Sequence, residues 1–252
     1  MSKSFADGPL TGLRVLDMSR ILAGPTTAQV LGDLGADVIK IERPGRGDDT
    51  RGWGPPFIKD ADGNDTPESA YYLCANRNKR SVAVDIASES GQALLADIAA
   101  GSDIMIENFK VGDLKRRGLD YETLKARNPG LIYCSVTGFG QDGPYAARAG
   151  YDFLIQGMGG IMSVTGEADG QPTKVGVGIA DVMTGMYATV AVLSALRVRD
   201  ATGEGQHIDM ALFDTQISWL INQGLDYLTA GVTPVRRGNA HPTVVPYETF
   251  PS

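Results

Sequence analysis

Residues 13–41, LRVLDMSRILAGPTTAQVLGDLGADVIKI, carry a complete strand–helix–strand pattern. Residues 13–16 and 37–41 are short apolar runs of the kind that form buried strands. Between them, residues 26–34 place apolar side chains at helical spacing, and Gly35 ends the pattern. Because two strands joined by a crossover helix run parallel, this segment predicts the beginning of a parallel sheet.

The same alternation continues along the chain. Further apolar, strand-like runs and helical patterns follow one another at 81–84 (strand), 88–99 (helix), 103–106 (strand), 111–127 (helices) and 131–136 (strand). This rhythm predicts an α/β fold of the Rossmann-like kind, a mostly parallel sheet with helices on both faces. Ligands of such sheets bind at the carboxyl ends of the strands.

The remaining segments are described by different patterns. A polar excursion at residues 46–69 is longer than a normal connection, so we expect either a functional flap or a subunit contact. After Tyr151 the pattern turns helical, with a buried helix expected at 182–197, a strand at 207–210 and a long helix from about Phe213 to Ala230.

Composition excludes several classes of protein. The 252 residues are 42% apolar and carry a net charge of −7, which argues against nucleic acid or an anionic membrane as the main partner. Two cysteines suggest no disulfide framework. The first residues lack the apolar core of a signal peptide, and the apolar stretch 182–196 is shorter than a membrane span. We therefore expect a cytoplasmic enzyme.

Asp181 is the strongest candidate for a reactive group. It is the only charged residue in 175–187, where its neighbours are apolar residues, glycines and a threonine. A carboxylate in such surroundings loses hydration, and the glycines allow a substrate to approach closely. Asp152 is a second acid shortly after the predicted fifth strand, with a helix cap as the alternative interpretation. His207 and His241 are too few and too far apart in sequence to predict a metal site.

Basic residues recur around the predicted strand ends. Since Arg pairs with phosphate oxygens in bidentate geometry, a converging set favours a ligand rich in phosphate. Taken singly, each is typical of a solvated surface charge. The set comprises Lys40, Arg43, Arg77, Lys79, Arg80, Lys110, Lys115, Arg116, Arg117 and Arg148.

The chain strongly resembles the class III CoA-transferase family, which includes formyl-CoA transferase, carnitine CoA-transferase and the bile-acid-inducible type. Within the family it looks closest to members that use succinyl-CoA with dicarboxylate acceptors such as glutarate or hydroxymethylglutarate. The resemblance runs from about Gly8 to Phe250. It is carried by GPLTGLRVLD (8–17), LAGP (22–25), LGDLGADVIKIERP (31–44), NRNKRS (76–81), ENF (107–109), TGFGQDGP (137–144), AGYD (149–152), AD (180–181) and TGEGQ (202–206).

The resemblance implies roles for individual residues. Asp181 would be the covalent nucleophile, with Asp152 in the same catalytic site. Acyl-CoA and a free carboxylic acid would be the substrates, with no metal and no permanently bound cofactor. Contacts to CoA would come from Leu22, Ala23, Arg43, Val84, Asp85, Asn108, Phe109, Lys110, Arg116, Ala149 and Tyr151, with Arg148 near the phosphates.

The resemblance also implies a domain plan. Residues 1–225 would form a large CoA-binding domain, and residues 226–252 a linker and the start of an incomplete small domain. Family members continue well beyond this point and form dimers whose subunits are threaded through each other, so a homodimer is expected of a full-length chain. The shortened small domain is also compatible with a catalytically silent CoA-binding module.

A second enzyme of the same fold is a 2-methylacyl-CoA racemase. Related racemases carry a proton-transferring His where this chain has Tyr151. Incubation in deuterium oxide separates the two activities, because a racemase exchanges the α-proton of its substrate and a transferase does not.

Overall fold

Strand β1 (Arg14–Asp17) lies inside a parallel six-stranded sheet. The computed structural model describes residues 8–250, and within them the order of the strands is β5-β2-β1-β6-β7-β8. All five neighbouring pairs are parallel. The other strands of this sheet are β2 (Asp37–Glu42), β5 (Lys79–Ala83), β6 (Ile104–Glu107), β7 (Ile132–Thr137) and β8 (His207–Ala211).

Helices cover both faces of the sheet. Because successive side chains of a strand point to opposite faces, Val15 and Leu16 of β1 enter two different cores. Helices α1 (Ala23–Asp33) and α7 (Ile179–Thr202) contribute to the core that contains Val15. Helices α3 (Glu89–Ala100) and α4 (Tyr121–Lys125) contribute to the core that contains Leu16. The predicted α/β class with a mostly parallel sheet is confirmed.

Helix α7 is longer than the 182–197 expected and packs closely on α1. A Cβ atom on Gly185 would lie 2.8 Å from the Ala23 carbonyl oxygen, so only glycine permits this approach. The Thr27 hydroxyl donates to the Gly185 carbonyl at 3.1 Å. By length and composition alone α7 is able to cross a membrane, a test that a buried core helix also passes. Ala188, Val192 and other side chains of α7 are buried against the sheet.

The predicted long helix from Phe213 to Ala230 is instead two helices, α8 (Leu212–Ser218) and α9 (Ile221–Ala230). The break occurs because Ile221 adopts a positive φ of 37°, which a continuous right-handed helix does not allow. Helix α8 buries Leu212 against the sheet, whereas α9 has no buried residue. The predicted domain boundary at residue 225 falls inside α9. The short helices α2 (Ala70–Cys74), α5 (Asp152–Met158) and α6 (Ile161–Val164) complete the α-helices of residues 8–250, and Asp49–Gly52 and Lys115–Arg117 form 3-10 helices.

The polar excursion 46–69 contains an antiparallel hairpin, β3 (Phe57–Lys59) and β4 (Asp65–Ser69). It is tied to the sheet by Glu42, whose carboxylate accepts hydrogen bonds from Arg51 at 2.7 Å and from Ser81 at 2.6 Å. Burial alone would raise the pKa of Glu42, but these hydrogen bonds lower it to about 2. The ionised carboxylate therefore stabilises the position of the excursion.

Candidate active site

A cleft of about 520 Å³ opens at the carboxyl ends of the central strands. Parallel strands place the loops that follow them at one edge, so segments far apart in sequence meet here. Of the sequence-predicted site residues, the cleft is lined by Leu22, Ala23, Asn108, Phe109, Lys110, Arg116, Arg148, Ala149, Tyr151 and Asp181. The end of β7 also lines the cleft, with Val136, Thr137 and Gly138. None of the three was predicted as a site residue, although Thr137 and Gly138 begin the TGFGQDGP motif.

Asp181 lies in the first turn of α7 and is half-buried. No hydrogen bond among residues 8–250 ends on its carboxylate oxygens. Burial, together with the nearby negative charge of Asp152, raises the pKa of Asp181 to about 7. The carboxylate is therefore a poorly solvated group that faces a cleft.

Asp152 caps the helix that carries Asp181. Its Oδ1 atom accepts hydrogen bonds from the backbone N–H groups of Ala180, at 2.8 Å, and Asp181, at 3.3 Å. Its Oδ2 atom accepts a hydrogen bond from Gln156 at 2.7 Å. Two of the N-terminal amides of α7 are thus satisfied by an acid from α5, and the side chain of Asp181 is not needed as the cap. The carboxylate of Asp152 does not line the cleft, and its catalytic role stays a prediction.

The loop at residues 19–22 forms one wall of the cleft and is held by two side chains from other segments. Asn108 accepts from the Arg20 N–H at 2.9 Å and donates to the Arg20 carbonyl at 2.7 Å. The Lys40 ammonium donates to the Ser19 carbonyl at 2.9 Å. Ile21 adopts a positive φ of 73°, an uncommon conformation for a branched side chain. These contacts fix an otherwise strained turn next to Asp181.

The prediction that Lys40 and Lys79 take part in phosphate binding is wrong. Lys40 is fully buried and its ammonium lies 2.9 Å from Asp48, and Lys79 is buried 2.9 Å from Asp17. A lysine that leaves water needs a carboxylate beside it. Both partners come from other segments, so the neighbouring sequence does not reveal the pairs.

Arg77 and Arg80 lie at the amino ends of the strands, on the side of the sheet opposite to the cleft. They stand before or at the start of β5, and they pair with Asp33 and with Asp37 at the start of β2. Their expected part in a phosphate site is therefore wrong, because the carboxyl ends of the strands point away from them.

A second, smaller cavity of about 210 Å³ adjoins the cleft. Arg43 and Val84 line this cavity and not the main cleft. Asp85 lines neither, and its carboxylate accepts a hydrogen bond from the Ala87 N–H at 2.9 Å before α3. Arg20 and Phe109 line both cavities. Sequence reasoning missed Arg20, although it follows the first strand by three residues and meets the same strand-end criterion.

Positive groups in the main cleft are placed by aromatic and acidic neighbours. The Arg148 guanidinium stands 4.7 Å from the centre of the Tyr145 ring. Arg116 pairs with Asp113. Within residues 8–250, no group of three or more His, Cys, Asp and Glu side chains is arranged to hold a metal ion. The site therefore offers cations for an anionic ligand and one desolvated carboxylate.

Comparisons with known proteins give the family. The model of CoA-transferase family III matches residues 10–252. A succinate–glutarate CoA-transferase of Agrobacterium fabrum is 54% identical over 97% of this chain and 61% of its own length. A succinyl-CoA:glutarate CoA-transferase of Homo sapiens is 44% identical over 96% of this chain and 54% of its own length. The chain thus spans little more than half the length of these relatives.

A solved structure agrees with this result. A CAIB/BAIF family protein from Brucella suis superposes with a TM-score of 0.92 and 56% identity, and the match covers 98% of this chain and 64% of that one. The resemblance predicted from the sequence motifs is confirmed. The chain belongs to CoA-transferase family III.

Proposed function

We propose that the protein transfers CoA from an acyl-CoA to a dicarboxylic acid and that Asp181 is the covalent nucleophile. The observation that carries this proposal is the position of Asp181, which lies half-buried in the cleft without a hydrogen-bond partner among residues 8–250. The names of the relatives support the reaction class, since one is a succinate–glutarate CoA-transferase and the other a succinyl-CoA:glutarate CoA-transferase.

The first half of the reaction forms an anhydride. The ionised Asp181 carboxylate attacks the thioester carbonyl of the donor, the C–S bond breaks, and CoA leaves as the thiolate. The thiolate then attacks the aspartyl carbonyl, which gives an aspartyl-CoA thioester and releases the donor acid. A carboxylate is a weak nucleophile in water, and partial burial reduces the hydration that it must shed before attack.

The second half reverses these steps with the acceptor. The acceptor carboxylate attacks the aspartyl-CoA carbonyl and expels the thiolate, which then attacks the acceptor carbonyl of the new anhydride. Asp181 is regenerated and the acceptor leaves as its CoA thioester. The capping of α7 by Asp152 supports this cycle, because it holds the helix start in place while Asp181 is acylated and released.

Charge supports an anionic substrate. The chain carries a net charge of −7, yet the cleft is lined by Lys110, Arg116 and Arg148. Cations concentrated beside the nucleophile favour CoA phosphates and the second carboxylate of a diacid. We place no metal and no permanently bound cofactor in the mechanism.

The assembly and the cellular location are part of the same proposal. Helix α9 exposes large apolar side chains, with Ile221 68%, Leu225 61% and Leu228 79% exposed. Contiguous exposed apolar residues mark interaction sites, and we assign this face to a second copy of the chain in a homodimer. We place the enzyme in the cytoplasm, as the composition predicts.

The test compares Asp181→Ala with Asp97→Ala, which removes an exposed acid of α3. Both are assayed for transfer of CoA from succinyl-CoA to glutarate, and for binding of CoA by calorimetry. Asp181→Ala is expected to abolish transfer and retain CoA binding, while Asp97→Ala behaves as the unchanged protein. Near-normal transfer by Asp181→Ala would rule out the mechanism. Deuterium uptake at the α-carbon of a 2-methylacyl-CoA would instead indicate the racemase.

A further inference from the structure

Glu107 is a buried carboxyl group that the proposed mechanism does not use. It is the last residue of β6 and is only 4% exposed. Burial raises the pKa of Glu107 to about 7, and the negative charges of Asp209 and Asp113 add to the rise. The side chain therefore changes its charge close to neutral pH, inside the protein.

A chain of hydrogen bonds connects Glu107 to the protein surface. Ser135 lies opposite Glu107 on the neighbouring strand β7, and its hydroxyl is hydrogen-bonded to the Glu107 carboxyl group. The same hydroxyl oxygen lies 2.9 Å from Nε2 of His207, an exposed residue at the start of β8. Because a carboxylate only accepts hydrogen bonds, Ser135 donates to ionised Glu107 and accepts from the His207 Nε2–H. Two side chains thus join the buried acid to solvent.

The loop at residues 108–111 is a wall that two spaces share. Glu107, Ser135 and His207 line a cavity of about 190 Å³. Phe109, Lys110 and Val111 line this cavity and also the main cleft that contains Asp181. The Phe109 N–H donates to Oε2 of Glu107 at 2.8 Å. Glu107 therefore holds the loop from the side opposite to the cleft.

We infer that Glu107 is a positioning residue whose ionised carboxylate holds the loop 108–111 in the shape that lines the main cleft, and that a proton delivered through His207 and Ser135 weakens this hold. The inference rests on the proposed function, since it takes acyl-CoA to occupy the main cleft. A hydrogen bond to an ionised acceptor is about twice as strong as a neutral one. Protonation of Glu107 therefore weakens the bond from Phe109, and the affinity for the substrate falls with it.

The proton step requires only a proton from solvent. It adds to Nδ1 of His207, the Nε2 proton moves to Oγ of Ser135, and the former hydroxyl proton of Ser135 moves to Glu107. One proton is gained by the carboxyl group, and His207 and Ser135 stay neutral. Ser135 then accepts from the Glu107 O–H and donates to Nε2, so every group in the chain keeps a partner.

The other charged and titratable groups around Glu107 come from β7, β8, the loop after β6 and the start of α4. The Tyr133 hydroxyl donates to the Leu119 carbonyl at 3.1 Å, and burial raises its pKa, so it stays neutral. Partial burial lowers the pKa of His207, against the opposing effects of Asp209 and Glu122. The remaining groups are Lys110, Asp113, Lys115, Asp120 and Tyr121.

The test measures the dissociation constant of dephospho-CoA by calorimetry on the complete protein, from about pH 5.5 to about pH 8.5. This probe lacks the 3′-phosphate, whose second ionisation falls in the same range. The parent protein carries Asp181→Asn, which removes the other carboxyl group with a pKa of about 7. Glu107→Gln, Ser135→Ala and the control Glu204→Gln, at an exposed acid after α7, are each added to this parent.

The parent should lose affinity about threefold to tenfold as pH falls through about 7, because Glu107 is ionised above this value and protonated below it. Glu107→Gln should bind as weakly as the parent does in acid, at every pH. Ser135→Ala removes a hydrogen bond that lowers the pKa of Glu107, so the midpoint should move to higher pH. Glu204→Gln should follow the parent.

Other results overturn the inference while binding by the parent still supports the proposed function. These are a pH dependence that persists in Glu107→Gln, a loss by the same factor at every pH, which indicates a packing defect, and a midpoint that Ser135→Ala leaves in place. If Glu107→Gln does not fold, the midpoint of Ser135→Ala alone decides. Failure of the unchanged protein to bind CoA overturns the proposed function itself.

Discussion

Replacing Asp181 by Asn is expected to stabilise the folded protein at alkaline pH while it removes the nucleophile. Asn has nearly the same shape but no charge. Burial, together with the charge of Asp152, raises the pKa of Asp181 from 3.8 to about 7. The folded state therefore holds this proton more tightly than the unfolded state, and rising pH penalises folding between these two values.

The size of the effect follows from that difference in pKa. Each pKa unit corresponds to about 1.4 kcal/mol, so the ionised carboxylate costs at most about 4 kcal/mol above pH 7. Because Asp181 is only half-buried, water moderates the cost, and a gain of about 2–4 kcal/mol is expected at pH 8. At pH 4 the carboxyl group is protonated in the folded state, and the gain should fall below about 1 kcal/mol.

Urea denaturation at pH 8 and pH 4 measures both values. Asp62→Asn is the matched control, since Asp62 is exposed in the hairpin turn and the same change there should alter the unfolding free energy by less than about 0.5 kcal/mol. A loss of stability in Asp181→Asn at pH 8, or an equal gain at both pH values, would refute the argument that Asp181 is a poorly solvated carboxylate.

Three other changes test neighbouring parts of the structure. Asp152→Asn removes the charge that helps to raise the pKa of Asp181, so the midpoint of the pH–rate profile should move to lower pH; an upward shift would contradict this coupling. Gly138→Ala places a Cβ atom 2.5 Å from the Gly150 Cα atom and should displace the loop that carries Gly150. CoA binding measured by calorimetry should weaken about tenfold, and unchanged affinity would argue against a role of this close approach in shaping the cleft. Glu42→Gln should lower the unfolding free energy by about 2–3 kcal/mol at pH 7, and the loss should vanish as pH falls from 4.5 to 2; a loss that persists in acid would point to packing instead.

The architecture was readable from the sequence because local pattern and tertiary structure agree. Residues 13–41 carry apolar runs at strand and helix spacing, and β1, α1 and β2 form close to those positions. Asp181 could be singled out as a candidate site residue for a related reason, since a lone charge among glycines and apolar residues predicts a desolvated group. Both signals lie within one short window of sequence.

Features that depend on distant partners were not readable. Lys40 was expected near phosphate, but its ammonium pairs inside the protein with Asp48, which belongs to the polar excursion 46–69. The break at Ile221 is a local backbone conformation, with a positive φ of 37°, and the apolar periodicity of residues 213–230 does not encode it. Arg20 meets the strand-end criterion and was overlooked, but its position between the two cavities is visible only in the folded structure.

The most direct test of the central claim is mass spectrometry of the protein after brief reaction with succinyl-CoA and digestion. The peptide that contains Asp181 should gain the mass of a CoA thioester, or of an acyl group, and this gain should be absent when Asp181 is replaced by Ala. Rapid transfer with an adduct on another peptide, or with the Asp181 peptide unmodified at every time point, would contradict covalent catalysis by this residue.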